Sequence, residues 1–148
     1  MIFEVDGDIF MAPQKSALMH CVSTDGAMSN EIAGEFVKRY PELKLLRKQT
    51  KNVGSTIPLA CSGRTIYNLC TKKQCGDKPD VSALQDCLLS VREHAHLAGI
   101  KDISLARTGT GLNELNYMDQ VLPSLKMAFK NSDINIWVYS LKGSPDDE

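Results

Sequence analysis

The 148-residue sequence has no Cys-x-x-Cys pair, and its five cysteines, Cys21, Cys61, Cys70, Cys75 and Cys87, are odd in number. Neither a disulfide framework nor a zinc knuckle is indicated, and a reducing, intracellular setting is expected. Long apolar runs are missing as well. None approaches the roughly 20 residues that cross a bilayer, and Glu4 and Asp6 come too early for the apolar stretch of a secretory signal. Charge of one sign is also absent: 17 Lys and Arg against 18 Asp and Glu leave a net charge of -1. Such a chain has no global field with which to hold a nucleic-acid backbone, although a local basic patch still suits a smaller anion. No internal repeat or low-complexity tract is present.

What is there fits one compact α/β domain. Hydrophobic residues make up 43% and charged residues 24% of a 16.3 kDa chain, enough for a core without disulfides or metal. The domain is expected to span residues 1–142, with 143–148 a short acidic tail. Ile2 to Val5 and the continuous apolar run Ala17 to Val22 read as strands, the second buried on both faces, with Gly7 to Lys15 a loop between them. The Ser/Asp/Gly-rich stretch Ser23 to Asn30 opens a helix carrying Ile32, Phe36, Val37 and Tyr40, stopped by Pro41; a short second helix, Glu42 to Gln49, follows. Thr56 to Cys61 and Thr65 to Cys70 flank Ser62-Gly63-Arg64 as a hairpin. Asp80 is placed to cap a long helix with Val81, Leu84, Leu88, Val91, Ala95 and Ala98 on one face, ended by Gly99. Ile103 to Ala106 is a strand, Tyr117 to Phe129 a helix kinked at Pro123, and Ile134 to Leu141 a last strand on which Trp137 is read as core packing.

In α/β sheets ligands gather where strands end and helices begin, because helix N-termini carry unpaired N–H groups and positive partial charge. Three segments qualify: Gly7-Asp8-Ile9-Phe10, Ser23 to Glu31, and Arg107-Thr108-Gly109-Thr110-Gly111-Leu112. Gly-x-Gly lets main-chain N–H groups approach a phosphate, but alone it is more often a plain turn.

Taken with His20-Cys21-Val22-Ser23, Met28 with Ile32-Ala33, Tyr67 to Lys73 with Lys78-Pro79, and Val138-Tyr139-Ser140-Leu141, these segments resemble the macro domain, in its terminal ADP-ribose protein glycohydrolase branch. The resemblance spans nearly the whole chain. It implies a three-layer α/β/α fold around a mixed, roughly six-stranded sheet, and a pocket for ADP-ribose. By that resemblance Asp8 would accept from the adenine amino group, with the main chain of Ile9 beside it and Tyr139 and Leu141 near the base. Thr108, Gly109, Thr110, Gly111 and Leu112 would cradle the diphosphate, while Ser23, Met28 and Glu31 would line the distal ribose.

Lys72 aligns with the lysine that the branch uses as nucleophile toward the anomeric carbon of the distal ribose. Attack requires a neutral amine, so a pKa near 10.4 must fall by about three units, a shift worth roughly 4 kcal/mol. Lys73 supplies a neighbouring cation, but adjacent strand residues face opposite ways, so at most one of the pair enters the pocket. Read without the family, Asp8 is a turn residue and Lys72-Lys73 a solvated pair at a strand end.

Two positions depart from the branch. Asn113 stands where it has an acidic residue acting as acid and base, and an amide cannot carry that proton. Such help is worth roughly 10²–10⁴-fold, so turnover should suffer far more than binding. Glu31 stands where the first loop usually has glycine. At about 5 Å from a diphosphate it would repel by about 3 kcal/mol at an effective dielectric of about 20; in a first helical turn it is electrostatically welcome. A sharper alternative makes Glu31 the replacement for the missing carboxylate.

The expected function is therefore removal of mono-ADP-ribose from acidic side chains of proteins, slowed by Asn113. A non-catalytic ADP-ribose reader, an ADP-ribose 1″-phosphate phosphatase, and, at lower rank, removal of ADP-ribose from nucleic-acid bases are the alternatives. No cofactor or membrane partner is implied, and nothing demands an oligomer. No metal is implied either: His94 and His96 lie two apart on a helix and so on different faces. Cys70 and Cys75 read as core or surface thiols, since no histidine lies near them in sequence.

Overall fold

The structure is a computed structural model describing residues 1–25, 31–49, 52–74, 77–107 and 115–141, apart from the side chain of Glu31. Six strands, β1 (Ile2–Asp6), β2 (Ala17–Ser23), β3 (Thr56–Cys61), β4 (Arg64–Lys72), β5 (Asp102–Ala106) and β6 (Asn135–Ser140), form one sheet in the order β1-β6-β5-β2-β4-β3. Every neighbouring pair is parallel except β3 and β4. This is the mixed, six-stranded sheet that the resemblance implies.

The apolar run of β2 is continuous because both of its faces are covered. Ala17, Met19 and Cys21 join Tyr67 and Leu69 of β4 in one core cluster, whereas Leu18 and Val22 join Ile66 and Cys70 in the other. Helices α2 (Val81–Ala98) and α3 (Leu122–Ala128) close the first face; α1 (Glu31–Arg39) and a 3-10 helix at Pro41–Lys48 close the second. Asp80 caps α2 by accepting from the Ser82 N–H at 2.9 Å, and Gly99 ends it at φ 73°, a left-handed conformation that glycine adopts without strain. Among the described residues no helix is long and apolar enough to cross a membrane.

Four local expectations are corrected. The connection from β1 to β2 is not a plain loop but carries a 3-10 turn at Ile9–Met11, capped by the Asp8 carboxylate. Ser62 (φ 51°) and Gly63 (φ 82°) alone make the hairpin turn, a pairing of positive φ values that matches the twist of the strands, so Arg64 belongs to β4. The expected helix 117–129 begins as a π-type turn at Tyr117–Val121 that runs on into α3, and Pro123 falls just after the change from π to α turns. Trp137 is half-buried rather than core: it stacks on Phe3 at 4.4 Å, donates to Asp102 Oδ1 at 2.9 Å and lines an open groove of about 320 Å³ with Val5, Pro13, Lys15 and Tyr139.

Candidate functional site

Because β1, β6, β5, β2 and β4 run parallel, their carboxyl ends share one edge of the sheet. The ladders continue past the strands there. Gly7 N–H donates to the Ser140 carbonyl at 2.9 Å, Arg107 N–H to that of Tyr139 at 2.8 Å, and Thr24 N–H to that of Lys72 at 3.0 Å. Across the edge the expected residues therefore stand in a fixed order: Asp8 and Ile9 after β1, Tyr139 and Leu141 at β6, Arg107 after β5, Ser23 at β2 and Lys72 at β4. Four inter-strand steps of about 4.8 Å separate the outer members by about 19 Å. A ligand touching both ends must be elongated.

At the β1 end, Asp8 Oδ1 accepts from the Phe10 N–H at 2.9 Å, capping the 3-10 turn and leaving Oδ2 for an incoming donor. Phe10 anchors that turn. Its ring meets Phe36 edge-on at 4.9 Å, and the Arg39 guanidinium lies 4.6 Å from its centroid. Ile9 is buried, Tyr139 half-buried and Leu141 exposed.

At the β4 end, a register shift between Val22 and Ser23 brings Ser23 opposite Lys72. Ser23 is buried, and its hydroxyl donates to Asp25 Oδ1. The Lys73 carbonyl accepts from the Asp25 N–H at 3.3 Å and from the Thr24 hydroxyl at 2.7 Å, fastening the segment after β2 to the end of β4. Lys72 is half-buried as the last residue of its strand, whereas Lys73 is exposed. In the sequence Asp25 is legible only as part of the polar stretch Ser23 to Asn30.

Between the ends, Arg107 leads into residues 108–114, its guanidinium 4.4 Å from the ring centroid of Tyr117. Burial pushes the Tyr117 hydroxyl up to about 12, so it stays a neutral phenol beside that cation. Met28, Thr108, Gly109, Thr110, Gly111, Leu112 and Asn113 lie outside the described residues, as does Cys75; Glu31 is the first residue of α1, its side chain undescribed.

Among the described residues, no competing thiol, histidine or metal chemistry assembles at this edge. Burial raises the Cys21 thiol far above its ordinary value, with Cys87 nearby adding to the effect, and burial pushes Cys87 up to about 11. Both stay protonated and unreactive at neutral pH. His94 is bonded through Nδ1 to the Tyr67 hydroxyl at 2.8 Å, while His96 lines a separate groove of about 530 Å³ with Arg92, Glu93 and Asp133. Among the described residues no group of His, Cys, Asp or Glu is arranged to hold a metal ion.

No protein-family model matches the sequence. Over 137 residues the chain is 36% identical to the ADP-ribose glycohydrolase OARD1 of Bos taurus, and equally to that of Homo sapiens, covering 93% of this chain and 90% of each relative. Among solved structures, the macrodomain of Thermus aquaticus DarG superposes with a TM-score of 0.80 at 22% identity, covering 94% of this chain and 97% of that one. The structure of Thermosipho africanus DarTG in complex with ADP-ribose gives a TM-score of 0.78 at 18% identity, over 95% of this chain and 42% of that one.

Proposed function

This chain belongs to the macro-domain family, in its terminal ADP-ribose glycohydrolase branch, and from that premise we propose that it binds ADP-ribose along the carboxyl edge of its sheet and releases it slowly from modified protein carboxylates through Lys72. The observation that carries the reading is the order of residues along that edge, with Asp8 and Tyr139 at one end, Arg107 in the middle and Ser23 with Lys72 at the other. ADP-ribose has the matching order of parts: base, diphosphate, distal ribose. Recognition by main-chain N–H groups needs little net charge, in agreement with -1 for the whole chain.

In the proposed step the neutral amine of Lys72 forms a bond to the anomeric carbon while the ester C–O bond breaks and the protein carboxylate leaves with its electron pair. For ADP-ribose to be released, water must add its oxygen to that carbon and a proton to the nitrogen as the new C–N bond breaks and the amine is restored. Before that, the attacking nitrogen must lose a proton. Asn113 cannot take it, so the slow step is the one a carboxylate would assist, by roughly 10²–10⁴-fold or about 3–5 kcal/mol. Asn113→Asp should therefore raise the release of ADP-ribose from a glutamate-modified protein by about a hundredfold, the lower bound of that range. Lys72→Ala should abolish release. Turnover untouched by Lys72→Ala would remove Lys72 from the mechanism.

The same asparagine favours a second reading, a non-catalytic reader. Calorimetric binding of ADP-ribose with no product at long times selects the reader, and clear multiple turnover eliminates it. Phosphate release from ADP-ribose 1″-phosphate would assign the site to the phosphatase class instead. The proposed partners are mono-ADP-ribosylated proteins inside the cell.

A further inference from the structure

Arg64 is a buried cation on the second face of the sheet, 6% exposed, at the first position of β4. Every acceptor it bonds among the described residues is neutral. Nε donates to the Ser16 carbonyl at 3.2 Å, Nη2 to the Ala12 carbonyl at 3.3 Å and to that of Pro13, and Nη1 to the Tyr40 hydroxyl at 3.1 Å. Among the described residues it has no carboxylate within ion-pair distance. A lone buried charge is expensive unless its donors are satisfied, and here the fork of N–H groups is spent on carbonyls of one short segment. That segment is the second half of the crossover from β1 to β2, and its first half is the Asp8 turn.

The two halves are joined by one turn of 3-10 helix. Met11 N–H donates to the Asp8 carbonyl at 2.9 Å and Ala12 N–H to that of Ile9 at 3.0 Å, so Asp8 and Ala12 move together. We infer that Arg64 is a positioning residue: by clamping Ala12, Pro13 and Ser16 it aims the Asp8 carboxylate and the Ile9 main chain, and so sets the base selectivity of the site. Tyr40, held by the same guanidinium, ties the clamp to the end of α1, whose Phe36 packs on Phe10. Arginine is required because lysine offers three donors from a single point and cannot reach three carbonyls and a phenol at once.

The selectivity part of this inference rests on the ADP-ribose reading; the clamp itself does not, and two measurements separate them. Arg64→Lys keeps the charge and should fold; Arg64→Gln serves as a second, uncharged variant. In hydrogen exchange by NMR, the amides of Phe10, Met11 and Ala12 should exchange about tenfold faster in Arg64→Lys than in the parent, with those of α2 unchanged. In calorimetry, ADP-ribose should bind about tenfold more weakly, the effect of weakening one hydrogen bond to the Asp8 carboxylate. Its preference over the hypoxanthine analogue, which lacks the amino donor for Asp8, should shrink. A purely structural Arg64 would accelerate exchange everywhere and leave the base preference intact, and that result, or unchanged exchange in both variants, overturns the clamp. A parent that binds no ADP-ribose defeats the functional reading instead, while the exchange data still decide Arg64.

Discussion

His20 shows how one buried side chain makes stability depend on pH. It is 2% exposed in the middle of β2, stacked on Phe36 at 4.2 Å and bonded through Nε2 to Asn68 Oδ1. The Asn68 amide already donates to the carbonyls of Ile57 at 3.0 Å and Ile66 at 3.2 Å, so its oxygen must accept and His20 must donate. The imidazole is therefore neutral with its proton on Nε2, and Nδ1 has no partner among the described residues. Burial pushes its pKa down from 6.5 to about 4, opposed by the Asn68 bond. Below 6.5 the unfolded chain takes up a proton that the folded chain refuses until about 4, so stability is complete above 6.5 and falls as pH drops through that window. Between pH 7 and pH 5 the loss should be about 2 kcal/mol, at about 1.36 kcal/mol per unit. His20→Gln keeps a donor for Asn68 and removes the titration. Urea unfolding at both pH values should show the parent losing about 2 kcal/mol more than the variant, on the same estimate; equal losses would refute the assignment.

Elements tie such residues to the site, and here the sequence is legible unevenly. The cap of α2 was readable from Asp80 and Gly99, because capping chemistry is local. What could not be read is that the Asp80 N–H also donates to the Thr71 carbonyl at 3.2 Å, one residue before Lys72, since that contact joins segments brought together by the sheet. Asp80→Ala should lower stability by about 1 kcal/mol in denaturant titration, and Asp80→Ser should retain most of it. A variant as stable as the parent would deny the cap any role. The hairpin was legible from Gly63 but not its boundary, because Arg64 is drawn into β4 by carbonyls at Ala12, Pro13 and Ser16, about fifty residues earlier in the sequence. Apolar spacing found the segment from Tyr117 to Phe129 but cannot distinguish π from α turns, which differ in where the N–H bonds go. Trp137 misled for a related reason: alternation places it on one face of β6, but not whether anything covers that face. At the site, resemblance supplied Asp8, Lys72 and Tyr139, and the shared edge follows from strand order, which local pattern does not contain.

At the scale of the whole molecule the proposed reading couples ligand to fold, because the proposed site would exist only when the sheet is assembled. Asp8, Lys72 and Tyr139 are scattered over the sequence and are brought to one edge of the sheet by the parallel ladders of β1, β6, β5, β2 and β4. The unfolded chain has no such edge, so ADP-ribose should bind the folded state alone and stabilise it by mass action. At a ligand concentration of about 100 Kd the gain is about 2.7 kcal/mol, which raises the melting temperature of a chain this size by roughly 5–10 °C. Adenosine reaches only the β1 and β6 end, so at the same concentration it should bind more weakly and give a smaller rise. Salt separates this from nucleic-acid binding: a protein neutralising 6–10 phosphates loses about 10³–10⁵ in affinity between roughly 50 and 200 mM salt. A diphosphate held by main-chain N–H groups on a chain of net charge -1 should lose far less. Thermal unfolding with each ligand at both salt concentrations tests all three statements. A melting temperature unmoved by millimolar ADP-ribose would mean that the edge does not hold this ligand, whatever its order of residues.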